Sequence, residues 1–494
     1  MLEQVERHYV VDVLVRDAIQ AQLLSPNSSS KVRRPLVPDV GGYREPSDAA
    51  VYALQLFRPQ AFSPEFDICE GLAFSRWSSA RVIGHSTPIS VGRGVSMSRS
   101  KFYFDPFDPE FRANPYPYFP ALLDGPPRQL DLFMPVTVVA RHADVAEVLR
   151  DHERFSVRRP EILTRARMDP FGGAPTILTA DPPVHTRLRR LVSKAFTPSR
   201  VRELEGRIRE VTNDLLDNAA RDGELEVMSQ LANPLPVIVI AELLGVSPDD
   251  HERFKQWSND LIGSFGRDLA SGPSAEGIAA RDKLRNYFAA AIHARRAQPS
   301  DDLIGALVTA RDENDALTED ELLAFVVLLL LAGNETTTNL IGNGLLLLAR
   351  HPEQQQRLRQ SPELLSKAVE EILRYDPPVQ MTVRTPIRAT EVGGTKITLD
   401  SLVFVLIAAA NRDPAQFPHP EVFDIGRSPN EHLSFGGGIH FCLGAPLSRL
   451  EGAIAIEAVL KKYARLTLAD PDEKLEYRGS IALRGLSALR LSVR

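Results

Sequence analysis

One helix signal, between Thr318 and Arg350, limits most of what this chain can fold into. Thr318-Glu319-Asp320-Glu321 is a capping box: the threonine hydroxyl and the last carboxylate each satisfy a backbone N–H that a helix start leaves open. Pro352 follows closely after Arg350 and marks the stop. The predicted helix runs from 319 to about 350. Its stretch Leu322–Leu331 is apolar nearly all round, so it must cross a core and be wrapped on every side. Against that setting Ala332-Gly333-Asn334-Glu335-Thr336-Thr337-Thr338 is out of place. A buried carboxylate costs roughly several kcal/mol unless it is paired, and a mid-helix glycine costs about 1 kcal/mol against alanine. Such penalties mark Gly333, Glu335 and Thr336 as candidates for function. The plain alternative is that they reach a water-lined face.

The second constraint is Phe435-Gly436-Gly437-Gly438-Ile439-His440-Phe441-Cys442-Leu443-Gly444. Three adjacent glycines strip a loop of side chains and allow positive φ, and a cysteine follows. A dinucleotide fingerprint would need glycine where Phe441 stands, and a P-loop needs Gly-Lys-Ser/Thr, which is missing. Zinc could use His440 and Cys442, but structural zinc takes about four ligands. The other cysteine, Cys69, lies far upstream. The plain alternative is a glycine-rich turn with a buried free cysteine.

This stretch resembles the cysteine-ligand loop of the cytochrome P450 family, the haem-thiolate monooxygenases. The family pattern is Phe-Gly-x-Gly-x-His/Arg-x-Cys-x-Gly, and every fixed position is met. The resemblance implies a mainly α fold with small β-sheets, the P450 fold, in one large domain. It implies haem b (iron protoporphyrin IX), with Cys442 as the axial thiolate, which pushes electron density onto iron and favours O–O cleavage. Phe435 would lie at the cofactor and His440 would face a propionate.

Other motifs follow in the family's order. His185-Thr-Arg-Leu-Arg189 opens a helix after Asp181-Pro182-Pro183 and places His185 and Arg189 on one face; alone, such a face is commonly just solvated. The resemblance makes the pair grip a propionate, a task suited to arginine's planar fork. Arg187 and Arg190 are expected to point elsewhere, towards a redox partner. Ala332–Thr336 resembles the family's Ala/Gly-Gly-x-Asp/Glu-Thr, which gives Gly333 the role of making room for oxygen. Glu335 and Thr336 then become the acid and hydroxyl that pass protons. Glu371 and Arg374 form a Glu-x-x-Arg; such a pair is common, and where exposed contributes only about 0.2–0.5 kcal/mol. Here it resembles the family's internal pair, completed by Arg427 in Phe423-Asp-Ile-Gly-Arg427, with a structural role. Arg384 fits the propionate-binding position on a strand, and Pro378–Val383 and the loop at Ile481-Ala-Leu would line the pocket.

Elsewhere the pattern predicts a strand at Val136–Ala140, a helix at His142–Asp151 and a long loop at Arg158–Thr179. Amphipathic helices fill 200–310, broken at Pro234, Pro236, Gly245-Val-Ser-Pro and Gly272-Pro273. A turn falls at Gly393-Gly394, a buried strand at Leu402–Ala408 and a helix at Ala445–Leu460. Trp257 and Phe265 flank a helix-break-helix that would roof the pocket or serve as plain core aromatics.

The chain has 494 residues, 43% hydrophobic, with a formal charge of −6. That size suits about two to four domains, but no boundary signal interrupts Met97–Arg494. The mild acidity argues against a nucleic-acid binder. Two cysteines cannot make a disulfide framework, which suits a reducing, cytoplasmic setting. The longest apolar run, near Leu322–Gly333, falls short of the roughly 20 residues a spanning helix needs. No signal-peptide layout precedes it, so no membrane anchor is expected.

Residues 1–96 read poorly: prolines at 35, 38, 46, 59, 64 and 88, a Pro26-Asn-Ser-Ser-Ser cluster, and one modest helix at Gln4–Leu24. They are expected to be a disordered extension or the product of an upstream start. The excess of arginine (48) over lysine (10) fits a GC-rich frame that leaves long spurious reading. A genuine extension serving partners or regulation is the rival.

The reading is a haem-dependent monooxygenase acting on a small lipophilic substrate. No flavin or nicotinamide domain is recognisable, so by resemblance electrons come from a ferredoxin and its reductase. Rivals are a peroxide-driven haem-thiolate enzyme, which usually lacks the acid–threonine pair, a non-catalytic haem sensor, and a haem-free interaction protein, which leaves the cysteine loop unexplained.

Overall fold

The computed structural model describes residues 103–494 except 133, 159–168, 220–222, 266–273, 313–314, 400 and 479–480. The expected extension at 1–96, its helix and Cys69 lie outside the described residues. The aromatic lead-in that follows forms short helices at Pro109–Ala113 and Phe119–Leu123. Their rings pack on one another and on the sheet, with Phe104 edge-on to Phe404 at 6.2 Å.

The main sheet contains β1 (Arg128–Asp131), β2 (Pro135–Val139), β3 (Phe155–Ser156), β4 (Thr382–Pro386) and β5 (Leu402–Val405). Its order is β1-β2-β5-β4-β3. β5 runs parallel to β2, with Val403 opposite Thr137; the other pairs are antiparallel. Side chains alternate across a strand. Leu402 and Phe404 therefore join Val136 and Val138 on one face, while Val403 and Val405 join Val139 and Leu149 on the other. Both faces are covered, which is why β5 reads as an unbroken apolar run. That run stops being strand earlier than its composition suggests: after Leu406 the chain turns into a short helix, Ile407–Ala410. The hairpin Thr390–Ile397 turns at Gly393 and Gly394, both at positive φ (55° and 85°), as a tight two-residue hairpin demands.

Six helices position the site: α1 (His142–Arg150), α2 (Val184–Ala195), α3 (Pro234–Leu243), α4 (Glu319–Arg350), α5 (Leu365–Tyr375) and α6 (Ala445–Lys462). The capping box of α4 forms, with Glu321 N donating to Thr318 Oγ1 at 3.2 Å and Thr318 N donating to Glu321 Oε2 at 2.9 Å. α4 packs on α3, α5 and α6. Its close approach is made by glycine: a Cβ at Gly344 would stand 3.0 Å from Ile372 and 3.1 Å from Ile456.

Several expectations need correction. The break at Pro234 is present, between the π-helix Met228–Ala232 and α3, but Pro236 does not break a helix; both prolines sit in the first turn of α3, where a missing N–H is not needed. Trp257 lies within one continuous helix, His251–Phe265, and packs edge-on against Tyr287 at 6.1 Å. Arg187 is not turned outward but pairs with Glu321 and, at 3.3 Å, with Asp315. The membrane reading also changes. α4 is long and apolar enough to cross a bilayer, with a mean hydropathy of 1.4, but 67% of that window is buried against the rest of the chain. The apolar stretch extends past the Glu335 region, through Leu340–Leu348, so the run does not end at Gly333.

Candidate functional site

The cysteine loop closes on itself. Cys442 N donates to Phe435 O at 3.0 Å, and Gly436 N to Leu433 O at 2.8 Å. Gly438 is needed twice over: its φ is +62°, and a Cβ there would stand 2.9 Å from Arg150 Cα on α1. The loop therefore lies flush on the end of α1. Cys442 immediately precedes α6, and the N–H groups of Gly444 and Ala445 point at its sulfur. Cys442 is a free cysteine open to solvent. Burial pushes its pKa up, opposed by those two N–H groups and by the charges of Arg189 and Arg449. A helix start and nearby guanidinium groups are what a thiolate needs.

Around the sulfur gathers a basic set from three separate elements. α2 supplies His185, which is 2% exposed, and Arg189; β4 supplies Arg384; the loop supplies His440. The rings of His185 and His440 lie 4.3 Å apart, centre to centre. His440 Nδ1 contacts Ile177 O at 3.2 Å. Burial, with His185 and Arg384 beside it, lowers the His440 pKa to about 4, and burial beside Arg189 lowers that of His185. Both rings are thus neutral near pH 7. His185 Nδ1 and Nε2 and His440 Nε2 have no hydrogen-bond partner among the described residues. Buried polar atoms are normally paired, so this is a cluster of donors and positive charge shaped for a carboxylate-bearing guest. The donor set fits haem: a thiolate for iron, and two guanidinium groups with two imidazoles for two propionates.

On α4, Ala332 is exposed in the middle of a helix otherwise sunk in the core. Among the described residues a Cβ at Gly333 would meet only Ile240 Cδ1 of α3, at an ordinary contact distance of 3.9 Å, so there is room beside it. Thr336 Oγ1 donates back to Ala332 O at 2.7 Å. Burial raises the pKa of Glu335, opposed by the charge of Arg478.

Behind the loop, Glu371 and Arg374 of α5 are fully buried and joined by two bonds of 2.8 Å. Arg374 also donates to the carbonyls of Asn411, Pro420 and Val422. Arg427 Nε reaches Glu371 Oε1 at 3.2 Å, and its other nitrogens hold Pro418, His419 and Val422. The segment 411–427 is thus wound around one ion pair whose donors are all used.

Sequence reasoning missed a second tie. Arg449 of α6 grips Glu370 of α5 through bonds of 2.7 and 2.8 Å, and His432 Nε2 joins at 3.0 Å. Arg449 also lies 4.3 Å above the ring of Phe435. Asn411 and Ser434 add a third link, with Ser434 Oγ donating to Leu373 O and Asn411 Nδ2 to Ser434 Oγ. No motif announces these residues; only the fold brings them together.

Comparison with known proteins places the chain among its relatives. The family model for cytochrome P450 matches residues 130–487. The polyketide biosynthesis cytochrome P450 PksS of Bacillus subtilis is 37% identical over 407 residues, covering 80% of this chain and 99% of that protein. The vitamin D(3) 25-hydroxylase of Pseudonocardia autotrophica is 40% identical over 394 residues, covering 79% and 96%. The solved structure of cytochrome P450 CYP109Q5 from Chondromyces apiculatus superposes with a TM-score of 0.72 at 37% identity, covering 79% of this chain and 98% of that one.

Proposed function

The chain belongs to the cytochrome P450 family of haem b monooxygenases, and from that premise we propose which of its residues hold the cofactor and move protons. The family's reaction puts one oxygen atom of O2 into a small organic molecule and reduces the other to water. The observation that carries the assignment is the convergence of Cys442 with His185, Arg189, Arg384 and His440, where both ring nitrogens of His185 and Nε2 of His440 have no hydrogen-bond partner among the described residues.

Cys442 is the thiolate ligand, held at the start of α6 by two N–H groups. His185, Arg189, Arg384 and His440 bind the propionates. Bound there, the haem supplies oxygen activation and the electron sink of the reaction. Gly333 leaves room on the α4 side. Glu335, its pKa raised by burial, holds a proton more readily than a surface carboxylate, which suits a donor. Thr336 Oγ1 gives up its bond to Ala332 O to pass a proton onward. Glu371, Arg374 and Arg427 fix the segment from which the cysteine loop springs.

The substrate is a lipophilic small molecule. The names of the relatives, a polyketide pathway enzyme and a vitamin D(3) hydroxylase, support a substrate of polyketide or steroid-like size. Its wall includes Val379 and Leu483, which pair across a bridge. Electrons come from a ferredoxin and its reductase, and the setting is cytoplasmic. Met97–Arg494 is the working domain.

The test is the carbon-monoxide difference spectrum of the dithionite-reduced protein beside Cys442→His. A strongly red-shifted Soret band in the parent, lost in the variant, is expected. A haem signal indifferent to Cys442 overturns the ligand assignment.

A further inference from the structure

Arg449 and Glu370 do more than bridge α5 and α6. Nε and one terminal nitrogen of Arg449 take the two oxygens of Glu370 at 2.7 and 2.8 Å, a fork-to-fork pairing that fixes the guanidinium in place. It is fixed 4.3 Å from the centre of the Phe435 ring, where an aromatic face attracts a cation. The third partner is His432, whose side chain is 3% exposed. Ser434 N donates to His432 Nδ1 at 3.2 Å, so the ring proton sits on Nε2 and is donated to Glu370 Oε2 at 3.0 Å. Glu370 therefore accepts three hydrogen bonds, all of which favour its ionised form.

Each member of this group leads to the cysteine loop. His432 and Ser434 enter it, and Phe435 O accepts the bond from Cys442 N at 3.0 Å. Arg449 stands two helical turns beyond Cys442, on the helix that the cysteine precedes. Burial raises the Cys442 pKa, and the charge of Arg449 is among the effects that oppose it, so the guanidinium is felt at the sulfur. Both ionic side chains are only partly exposed, Arg449 at 36% and Glu370 at 28%, and salt screens such charges less than a free surface pair. A plain tie between two helices needs neither the ring nor the imidazole.

We propose that Arg449 and Glu370 form a charge couple that sets the reduction potential of the Cys442-bound haem, Phe435 being the platform that positions Arg449 and Glu370 the counter-charge that moderates it. The inference rests on the reading of Cys442 as the thiolate ligand. One electron from the donor protein makes the haem and its thiolate one charge more negative, with no bond formed or broken. The Arg449 cation favours that reduced form and the Glu370 anion opposes it. Two turns of helix rise about 10 Å. A unit charge at about 10 Å, with an effective dielectric of about 20, changes the ferric–ferrous equilibrium about tenfold, or about 59 mV for one electron. Both are positioning residues that act through Phe435 and the field at the sulfur.

The test is an equilibrium redox titration of the haem-loaded full chain at neutral pH, with dithionite as reductant. Arg449→Gln removes the cation, and its midpoint falls by about 59 mV, a tenfold change in the equilibrium. Glu370→Gln leaves Arg449 uncompensated, and its midpoint rises. The double variant lies between the two. Arg449→Lys keeps the charge and stays within about threefold of the parent equilibrium. The opposite signs are the decisive result, because both single variants break the same tie. Midpoints that move in one direction in both, or do not move, overturn the couple and leave a packing role. Should Arg449→Gln fail to hold haem, Glu370→Gln beside Arg449→Lys decides: a raised midpoint in the first and a parental one in the second supports the couple, and any other pair of shifts overturns it. The carbon-monoxide spectra of the parent and Cys442→His run alongside. A band indifferent to Cys442 removes the ligand reading and the couple with it. A band that depends on Cys442, with midpoints moving in one direction, removes the couple alone.

Discussion

The tie between α5 and α6 gives a stability effect whose size and pH dependence follow from its geometry. Arg449 and His432 hold Glu370 on both oxygens, and its pKa falls from 4.5 to about 2. Its side chain is 28% exposed. At about 1.4 kcal/mol per unit, and discounted for the exposed part, that corresponds to about 2–3 kcal/mol. The sign follows from linkage: a carboxylate whose folded pKa is depressed stabilises the fold above its unfolded pKa. That stability is lost as pH falls from about 4.5 towards about 2. Glu370→Gln should therefore be less stable than the parent by about 2–3 kcal/mol at neutral pH. Below about pH 4.5 the gap should shrink by roughly 1 kcal/mol per unit. Urea unfolding followed by far-ultraviolet circular dichroism, run on both proteins from neutral pH down to about 3.5, measures it. A gap that stays constant with pH, or widens in acid, refutes the reasoning, because the charge of Glu370 would then not be what α6 holds.

Two further outcomes are expected. Arg374→Lys cannot replace a fork that serves Glu371 and three carbonyls at once; a loss of about 3–5 kcal/mol should appear in denaturant unfolding, and a loss under about 1 kcal/mol would show that the buried pair tolerates a point charge. Gly438→Ala forces a methyl into the left-handed region at about 1–2 kcal/mol and onto the end of α1. It should lower both the melting temperature and the fraction of chains that retain haem on gel filtration, and normal retention would show that the loop need not lie flush on Arg150.

What the sequence revealed follows the range over which each signal acts. The capping box at Thr318, the stop before Pro352 and the Gly393-Gly394 turn are written in a few adjacent residues, and each forms as expected. Pro236 reads as a break because proline has opposite meanings inside a helix and in its first turn, and only the end of the π-helix Met228–Ala232 just before Pro234 shows that α3 starts there. The end of β5 at Val405 is invisible in an apolar run that continues into helix. Arg449 and His432 carry no local pattern at all; their roles depend on what Glu370 and Phe435 bring to them from elsewhere in the chain.

The parallel pairing of β2 with β5 also sets the order of assembly. Pro135–Val139 must wait for Leu402–Val405 before its inner edge has a partner, and His142 N waits for Asp413 Oδ2. Closing so long a loop is slow, because its entropy is lost before any contact repays it. During synthesis the sheet edge near the start of the domain therefore stays open until most of the chain has left the ribosome. The cysteine loop, which rests on α1 next to that edge, emerges later still. A chain truncated before Leu402 lacks the partner strand of β2 and so cannot close the sheet.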